Sequence, residues 1–365
     1  MQKQLSNTRI YADCNATVPM LASVRESIKN DFFNPSTLYQ EGRNARERLN
    51  NARQMVRNFL GQNYNIVFTA SVTEAHNMLA HNFNHGITII SSIEHPSITN
   101  TLSKAFLLEV NQSGIISHNT LEDLLIKYQK HIPFVSIMLA NHEIGVIQNI
   151  SSLSKLVKKY GGIMHSDITQ MIGKYPFDTS ILDHVDCVTF AGHKIGAGFG
   201  AAVLAYRKHI KLSSLLLGGM QENGQRSGTE NLFAINGIRL ALLEIMQKNH
   251  TIQAIKAVRD YLEKKILETN KNAIIVSSQE LRIYNTSCII HPEISGEEQM
   301  MMFDINGIAV GTGSACSSGR ITTSKVIKAL GFSDKIAKNM IRISIDEKVQ
   351  KNHIDKIIKV WQEMT

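Results

Sequence analysis

The sequence predicts an α/β protein with a large domain, built on a mixed and mostly parallel sheet covered by helices, and a smaller α+β domain. Between residues 65 and 206, short apolar runs alternate with segments of helical periodicity, which is typical of strands joined by helices. The chain has 365 residues, enough for a large core and a second unit. The pattern changes after two long helical segments, so we expect a large domain over residues 15–250 and a small one over 251–365 that also includes 1–14.

Six apolar runs predict the large sheet, and four later runs predict the small one. The first six are Ile66–Phe68, Ile87–Ile90, Phe134–Leu139, Ile163–His165, Cys187–Phe190 and Ala201–Tyr206. The later four are Ala273–Val276, Cys288–His291, Ile308–Val310 and Ile341–Ile345. Apolar residues at helical spacing predict helices over Arg43–Leu60, Ser151–Tyr160, Asn231–Met246, Thr251–Leu267, Ser324–Leu330 and His353–Trp361.

Composition and charge exclude several classes of protein. With 43% hydrophobic and 19% charged residues, the chain has an ordinary globular composition. No apolar run approaches the roughly 18 residues of a membrane span, and we expect no secretory signal at the start. The net charge of +8 comes from scattered lysines without an aromatic-interleaved patch. We therefore expect a solvated surface, with no nucleic-acid or membrane partner.

Cysteine and histidine spacing gives no metal or disulfide pattern. The four cysteines, none of them in a Cys-x-x-Cys pair, are Cys14, Cys187, Cys288 and Cys316. We expect a reducing cytoplasm and no structural zinc. His81 and His85 stand four apart, but Asn82, Asn84 and Gly86 argue against a helix there, and no third ligand is evident.

Three residues carry candidate chemistry. Asp167 follows the run Gly162–His165, where its carboxylate could pair with a ring nitrogen; the alternative is a helix cap. Lys194 lies between an apolar strand and a glycine-rich turn, which favours a desolvated, nucleophilic amine over a surface lysine. Cys316 lies among small polar residues in Gly311–Gly319, where a reactive thiolate is favoured over a packed hydrophobe.

With these residues the chain resembles a cysteine desulfurase of the NifS/IscS type, in the class V aminotransferase family with the pyridoxal-phosphate-dependent transferase fold type I. The resemblance runs from Tyr11 to about Ile357. The motifs that carry it are Tyr11–Thr17, Asn34–Ser36 with Gly42-Arg43, Phe68–Asn77, Glu94–Ser97, Asn141–Gly145, His165–Gln170, Gly192–Lys194, Arg226–Asn231 and the segment around Cys316. So many motifs in one order are not expected by chance.

The resemblance implies roles around the cofactor pyridoxal 5′-phosphate. Lys194 would hold the cofactor covalently and move the substrate's α-proton, and Asp167 would pair with the ring nitrogen. Gln170 and His142 would lie near the ring oxygen, and His95 would stack on the ring and act as acid or base. The residues that would hold the phosphate are Val72, Thr73, His193 and, reaching from the partner subunit, Thr229.

The resemblance also implies the substrate and the reaction. Arg342 would bind the carboxylate of L-cysteine through a two-pronged contact, with Asn15 also at the substrate. The Cys316 thiolate would attack the substrate sulfur, leaving alanine and an enzyme persulfide. We thus expect a cytoplasmic homodimeric cysteine desulfurase that supplies an iron–sulfur scaffold or another persulfide acceptor protein, for cluster assembly or tRNA thiolation. The remaining cysteines adjoin apolar segments and are expected to pack.

Several positions depart from the family pattern. Ala191 stands where the family has a serine, His142 where it has an asparagine, and Asp346 where it has a glycine. Ala70-Ser71-Val72 replaces Ser-Gly-Ala in the phosphate segment, and the turn after Lys194 is shortened. One lost charge-assisted hydrogen bond would cost on the order of 1.5–3 kcal/mol. The alternatives are a degenerate paralogue that acts as a binding or regulatory partner, and a selenocysteine lyase; the intact reactive residues favour an active desulfurase.

Overall fold

A computed structural model describes residues 9–30, 32–247, 252–315 and 321–364. Its strands are β1 (Ile10–Tyr11), β2 (Tyr64–Thr69), β3 (Thr88–Ser91), β4 (Phe106–Leu108), β5 (Phe134–Ser136), β6 (Ile163–Asp167), β7 (Cys187–Ala191), β8 (Ala202–Arg207), β9 (Ile274–Ile275), β10 (Thr286–Ile290), β11 (Ile308–Ala309), β12 (Gly311–Thr312), β13 (Ser314–Ala315), β14 (Ile321–Thr322) and β15 (Met340–Ser344). Its α-helices are α1 (Ala22–Ser27), α2 (Gln40–Leu60), α3 (Val72–Phe83), α4 (Pro96–Thr99), α5 (His118–Lys127), α6 (Ile150–Lys159), α7 (Leu232–Gln247), α8 (Ile252–Thr269), α9 (Gly296–Ile305), α10 (Lys325–Ala329), α11 (Asp334–Ala337) and α12 (Lys351–Gln362). Short 3-10 turns lie at Thr179–Leu182, Gly192–Ile195 and Gln221–Gly224.

The large sheet has the strand order β2-β8-β7-β6-β5-β3-β4. Strands β3 to β7 run parallel to one another, while β8 is antiparallel to both β2 and β7. Strands β2, β3, β5, β6 and β7 therefore all end at one edge. In such sheets ligands bind outside the carboxyl ends of the strands, so this edge is where a site is expected.

A second, antiparallel sheet has the order β12-β15-β10-β9. The beginning of the chain is attached to it, because β1 pairs in parallel with β11 and Asp13 bridges to Ser344. A hydrophobic cluster of its own, which includes Phe303 and Trp361, lies between this sheet and helices α8 and α12. The predicted division of the chain near residue 250 stays a prediction.

The mixed, mostly parallel sheet confirms the predicted α/β class. Each apolar run named above overlaps a strand, although the run Phe134–Leu139 leaves its strand at Ser136. The predicted helices also overlap observed ones, and Gly61 ends α2 with a positive φ of 99°. The sequence analysis did not find the edge strand β4, or helices such as α5 and α9.

As expected from Asn82, Asn84 and Gly86, no helix runs through both His81 and His85, since α3 ends at Phe83 and His85 lies beyond it. Helix α3 runs through Phe83 and includes His81. Ser71 caps its start by accepting from the Glu74 N–H at 3.2 Å, and the Glu74 carboxylate accepts from the Ala70 N–H at 2.8 Å. The polar residues lie at its last turn or beyond, where they end the helix. None of the described helices is long and apolar enough to cross a membrane.

Candidate active site

The candidate site is built where the parallel strands of the large sheet end. Asp167 is the last residue of β6, and Lys194 lies in the turn Gly192–Ile195 directly after β7. His95 precedes α4, a few residues after β3. Helix α3 begins just after β2, with Val72 as its first residue. The strand order thus brings together residues that are up to about 120 positions apart in the chain.

Lys194 carries an amine of reduced basicity. Its Nζ donates to the carbonyl oxygens of Asn15 at 2.6 Å and Ala16 at 2.7 Å. Desolvation, and next the positive charge of Arg342, lower the pKa of Lys194 to about 8. Gly196 ends the turn in the left-handed conformation at φ 80°, which favours glycine. About a quarter of such amines are neutral at pH 7.5, against about 0.1% for an ordinary lysine.

Asp167 keeps one carboxylate oxygen available. The side chain is 6% exposed, and its Oδ1 accepts from the Thr169 N–H at 2.8 Å. This is the local backbone contact expected from the capping alternative. Its Oδ2 lies 3.7 Å from Nε2 of His76, which is too far for a hydrogen bond. The carboxylate can therefore be held by the backbone and still receive a cation or an N–H donor.

Two imidazoles border the cleft. The rings of His95 and His142 lie 5.3 Å apart at 73°. Desolvation, and next the neighbouring His142, lower the pKa of His95 to about 3, while the outer part of its side chain stays exposed to the open cleft. Nδ1 of His142 is buried and has no hydrogen-bond partner among the described residues. Its Nε2 lies 3.6 Å from Oε1 of Glu143. A polar atom is thus left free at the position where the sequence departs from the family.

Arg342 lies in β15 with its guanidinium already paired. Its Nη1 donates to the carbonyl oxygen of His142 at 2.9 Å, and its Nη2 donates to Oδ1 of Asp13 at 2.6 Å. Its Nε is buried without a partner in the described part of the chain. A Cβ added at Gly311 would lie 2.9 Å from both Nη2 and Oδ1 of this pair. The strand β12, which leads toward Cys316, therefore passes close to Arg342.

The amides of Gln170 and Asn15 are both engaged by protein groups. Gln170 donates from Nε2 to the Asn15 carbonyl at 3.1 Å and accepts from Lys174 Nζ at its Oε1. The Asn15 side chain donates to Thr286 Oγ1 at 2.8 Å and to the His142 carbonyl at 3.2 Å. Both residues lie beside Lys194, but their contacts to cofactor and substrate stay predictions.

The first turn of α3 faces solvent. Val72 and Thr73 begin this helix, so their N–H groups lack acceptors within it. Arg226 Nε donates to Glu74 Oε1 at 2.7 Å, which holds the segment containing Thr229 against the same helix end. Thr229 itself is exposed. This helix end is suited to an anion such as a phosphate.

His193 lies beside Lys194 in the same turn. Its ring stacks on Phe199, with centroids 5.5 Å apart. Desolvation, and next the charge of Lys194, lower the pKa of His193 to about 4. The imidazole is therefore neutral near neutral pH.

The cysteines separate into two groups. Cys14, Cys187 and Cys288 are buried, as expected, and burial raises the pKa of each thiol, that of Cys14 to about 12. Cys14 lines a cavity of about 120 Å³ behind Lys194, together with Asp346. Cys316 lies outside the described residues, so its predicted role is not tested.

The sequence analysis missed three buried polar residues beneath the site: His76, Thr189 and His165. Oγ1 of Thr189 lies 3.0 Å from a ring nitrogen of each histidine. All three side chains are 0% exposed. The available signal was the position of His76 on the buried face of α3, next to Ala75, where a polar residue is unusual.

Comparison with known proteins identifies the family. Residues 10–357 match the model for aminotransferase class V. The chain is 32% identical to a cysteine desulfurase from Nostoc sp., covering 97% of this chain and 92% of the relative. It is 30% identical to the cysteine desulfurase NifS of Azotobacter vinelandii, covering 96% and 91%. Among solved structures, a NifS-like protein from Rickettsia africae superposes with a TM-score of 0.90 at 34% identity, covering 98% of this chain and 99% of that one. The chain therefore belongs to the class V aminotransferase family and, within it, to the enzymes of the NifS/IscS cysteine desulfurase type.

Proposed function

We propose that this protein is a pyridoxal-phosphate-dependent cysteine desulfurase, which converts L-cysteine to L-alanine and carries the sulfur as a persulfide on Cys316. The observation that carries the proposal is the Lys194 amine, held at the strand edge with its pKa lowered to about 8. The cysteine desulfurases named among the relatives cover almost the whole chain and support the same reaction.

The residues present fit pyridoxal phosphate. Lys194 offers a partly neutral amine to its aldehyde, and Oδ2 of Asp167 has no hydrogen-bond donor within reach among the residues that the structure describes. The open first turn of α3, at Val72 and Thr73, suits its phosphate. When bound, the cofactor supplies an electron sink for the substrate's carbon atoms.

The chain's own groups would divide the work on the substrate. Arg342 would bind the cysteine carboxylate, which must compete with Asp13 for the guanidinium. Lys194, once its amine is neutral, would take the proton from the α-carbon and return it later. Asp167 would stabilise positive charge on the ring nitrogen of the ligand.

Cys316 would perform the sulfur transfer. Its thiolate attacks the substrate sulfur, so that an S–S bond forms as the C–S bond breaks. The electron pair of the broken bond stays with carbon, which takes up a proton and leaves as alanine. The persulfide then passes to an acceptor protein, and we propose that it serves iron–sulfur cluster assembly or tRNA thiolation in the cytoplasm.

A homodimer is part of the proposal. Large apolar side chains are exposed at Leu38 (80%), Leu217 (88%) and Met220 (80%). Leu217 and Met220 precede the segment in which Thr229 is proposed to reach the partner's phosphate site. Neighbouring exposed apolar side chains, such as Leu217 and Met220 three residues apart, are typical of protein–protein interfaces, which supports the proposal.

The test is alanine formation from L-cysteine by purified protein loaded with pyridoxal phosphate, in the presence of a thiol acceptor. We expect activity in the wild type and none in Lys194→Ala or Cys316→Ser. Matched controls are Lys264→Ala, whose side chain is 73% exposed, and Ser317→Ala beside Cys316 in the sequence; both should stay active. A folded, cofactor-loaded wild type that forms no alanine would refute the proposal and favour the degenerate partner. Faster turnover of selenocysteine would favour the lyase.

A further inference from the structure

A row of buried side chains connects His95 in the cleft to the interior of the large sheet. Its members, each within hydrogen-bond distance of the next, are His95, Ser97, His76, Thr189, His165 and Ser136. Apart from His95, none is more than 7% exposed. Since a buried hydrogen-bond chain must assign each proton to one partner, its direction can be worked out.

The direction is set at the His95 end. The backbone N–H of Ser97 donates to Nδ1 of His95 at 3.1 Å. A backbone N–H cannot accept, so this nitrogen carries a lone pair and the ring proton lies on Nε2. Oγ of Ser97 lies 2.8 Å from the same Nδ1, and it too must therefore donate. The opposite assignment would place two lone pairs against each other at 2.8 Å.

The remaining protons follow in order. The Ser97 hydroxyl has used its proton, so its oxygen accepts from Nδ1–H of His76 at 2.8 Å. Burial lowers the pKa of His76 to about 3, so the ring is neutral and its Nε2 accepts from the Thr189 hydroxyl at 3.0 Å. The Thr189 oxygen then accepts from Nε2–H of His165 at 3.0 Å.

The row of hydrogen bonds ends at Ser136, and each of its groups has a partner. Burial also lowers the pKa of His165 to about 3, so this ring is neutral as well. Its Nδ1 accepts from the Ser136 hydroxyl at 2.8 Å. Every donor and acceptor between Ser136 and His95 has one assigned role, which is the condition for a stable buried network.

This direction has two consequences for the site. His95 offers an Nε2–H donor to the cleft and has two donors already aimed at its Nδ1, so it cannot take up a proton without losing its contacts with Ser97. His76 turns a lone pair, not an N–H, toward Oδ2 of Asp167, 3.7 Å away. Within the described part of the chain, Oδ2 of Asp167 is therefore left without a competing donor.

We propose that His76, Thr189 and His165 are positioning residues, which fix His95 as a hydrogen-bond donor and keep Asp167 Oδ2 free for the ring nitrogen of the cofactor. The assignment of the cofactor rests on the proposed function; the tautomers do not. It follows that Lys194, rather than His95, carries the substrate's proton, a narrower role for His95 than acid or base.

The experiment measures histidine tautomers by long-range ¹H–¹⁵N NMR on apo protein labelled at its histidine nitrogens, with His95→Gln and His76→Asn used for assignment. In the wild type we expect Nε2–H for His95 and Nδ1–H for His76. An Nδ1–H tautomer at His95, or an imidazolium there near neutral pH, would overturn the proposal, and this readout comes from the wild-type protein itself.

A matched pair of variants tests the link to Asp167. Thr189→Val removes the hydroxyl at constant size, and Thr189→Ser restores it. In Thr189→Val the Ser97 hydroxyl is expected to turn from His95 to Nδ1 of His76, so that His76 carries its proton on Nε2 and closes the 3.7 Å gap to donate to Asp167. The Kd for pyridoxal phosphate is then expected to rise about tenfold, since a hydrogen bond to a charged group must be displaced. In Thr189→Ser both the His76 tautomer and the Kd for pyridoxal phosphate should return to their wild-type values. Unchanged His76 and unchanged Kd in Thr189→Val would contradict the proposal.

The two proposals fail separately. The expected tautomers in a protein that forms no alanine would reject the desulfurase function but support the positioning role of His76, Thr189 and His165. Alanine formation by a protein with the opposite tautomers would reject only the positioning role and leave the desulfurase function supported.

Discussion

The pairing of Asp13 with Arg342 predicts that the wild-type enzyme binds its substrate less tightly than it could. The two side chains are joined at 2.6 Å, and they are only 20% and 13% exposed. A substrate carboxylate that uses Nη2 of Arg342 must displace Asp13 or share the guanidinium with it. In Asp13→Asn the side chain at position 13 still accepts a hydrogen bond but has no charge. The substrate carboxylate therefore displaces it from Arg342 more easily.

The size of the effect follows from the strength of the displaced contact. A hydrogen bond between charged groups contributes about 1.5–3 kcal/mol net, and a neutral one about 0.5–1.5. The difference of about 1 kcal/mol corresponds to a KM for L-cysteine about fivefold lower in Asp13→Asn. Because Asp13 also raises the pKa of Lys194, its neutralisation leaves more neutral amine, and kcat at pH 8 is not expected to fall on this account.

The assay is alanine formation as a function of cysteine concentration, together with the affinity of L-alanine, which lacks the thiol and reports on the carboxylate contact. Asp304→Asn is the control, because Asp304 pairs with Arg9 on the surface and is 62% exposed. A higher KM in Asp13→Asn would refute the reasoning, since it would mean that Asp13 orients Arg342 for the substrate rather than competing with it.

Three further predictions follow from the same structure. The rate at which apo protein captures pyridoxal phosphate should rise with pH and level off above about 8, because Lys194 is deprotonated there; a rate that still climbs toward pH 10 would contradict the lowered pKa. Gly311→Ala should raise the KM for cysteine several-fold at little cost in the melting temperature, because its Cβ meets the Arg342 pair at 2.9 Å. Glu222→Gln should lower the free energy of unfolding by about 3–5 kcal/mol in urea titrations, since it leaves the 11%-exposed Arg53 without its charged partner; Glu26→Gln on the surface should change it by less than about 0.5.

The sequence predicts the location of the site better than its contacts. Asp167 and Lys194 each follow an apolar run in an alternating pattern, and parallel strands must end at one edge, so their proximity follows from local pattern and topology alone. The pairing of Asp13 with Arg342 joins residues 329 positions apart. No local periodicity encodes such a contact, because it depends on how the segment after β1 meets β15, where Asp13 bridges to Ser344.

The elements and residues that the sequence analysis did not predict also depend on contacts or exposure that local sequence does not encode. Helix α3 was not predicted, although the sequence analysis correctly doubted a helix through both His81 and His85: the helix ends at Phe83, with Asn84 as its C-terminal cap. Strand β4 was missed because it is a three-residue edge strand with Phe106 and Leu107 exposed, which gives no burial pattern. His76 was overlooked because a histidine in a helix is commonplace; its importance depends on Thr189 and Asp167, which come from other elements.

The segment Asp13–Ala16 couples substrate binding to the state of Lys194. Its carbonyl groups at Asn15 and Ala16 hold the Lys194 amine, while its carboxylate at Asp13 holds Arg342. Arg342 lowers the pKa of Lys194 and Asp13 raises it, so the amine responds to the net charge at this pair. A substrate carboxylate arriving at Arg342 adds a negative charge of the same sense as Asp13, and it should raise the pKa of Lys194. Without substrate, the Lys194 amine is thus neutral enough to react with an aldehyde. With the substrate carboxylate at Arg342, the same amine is more basic at the stage when a proton must be taken from carbon.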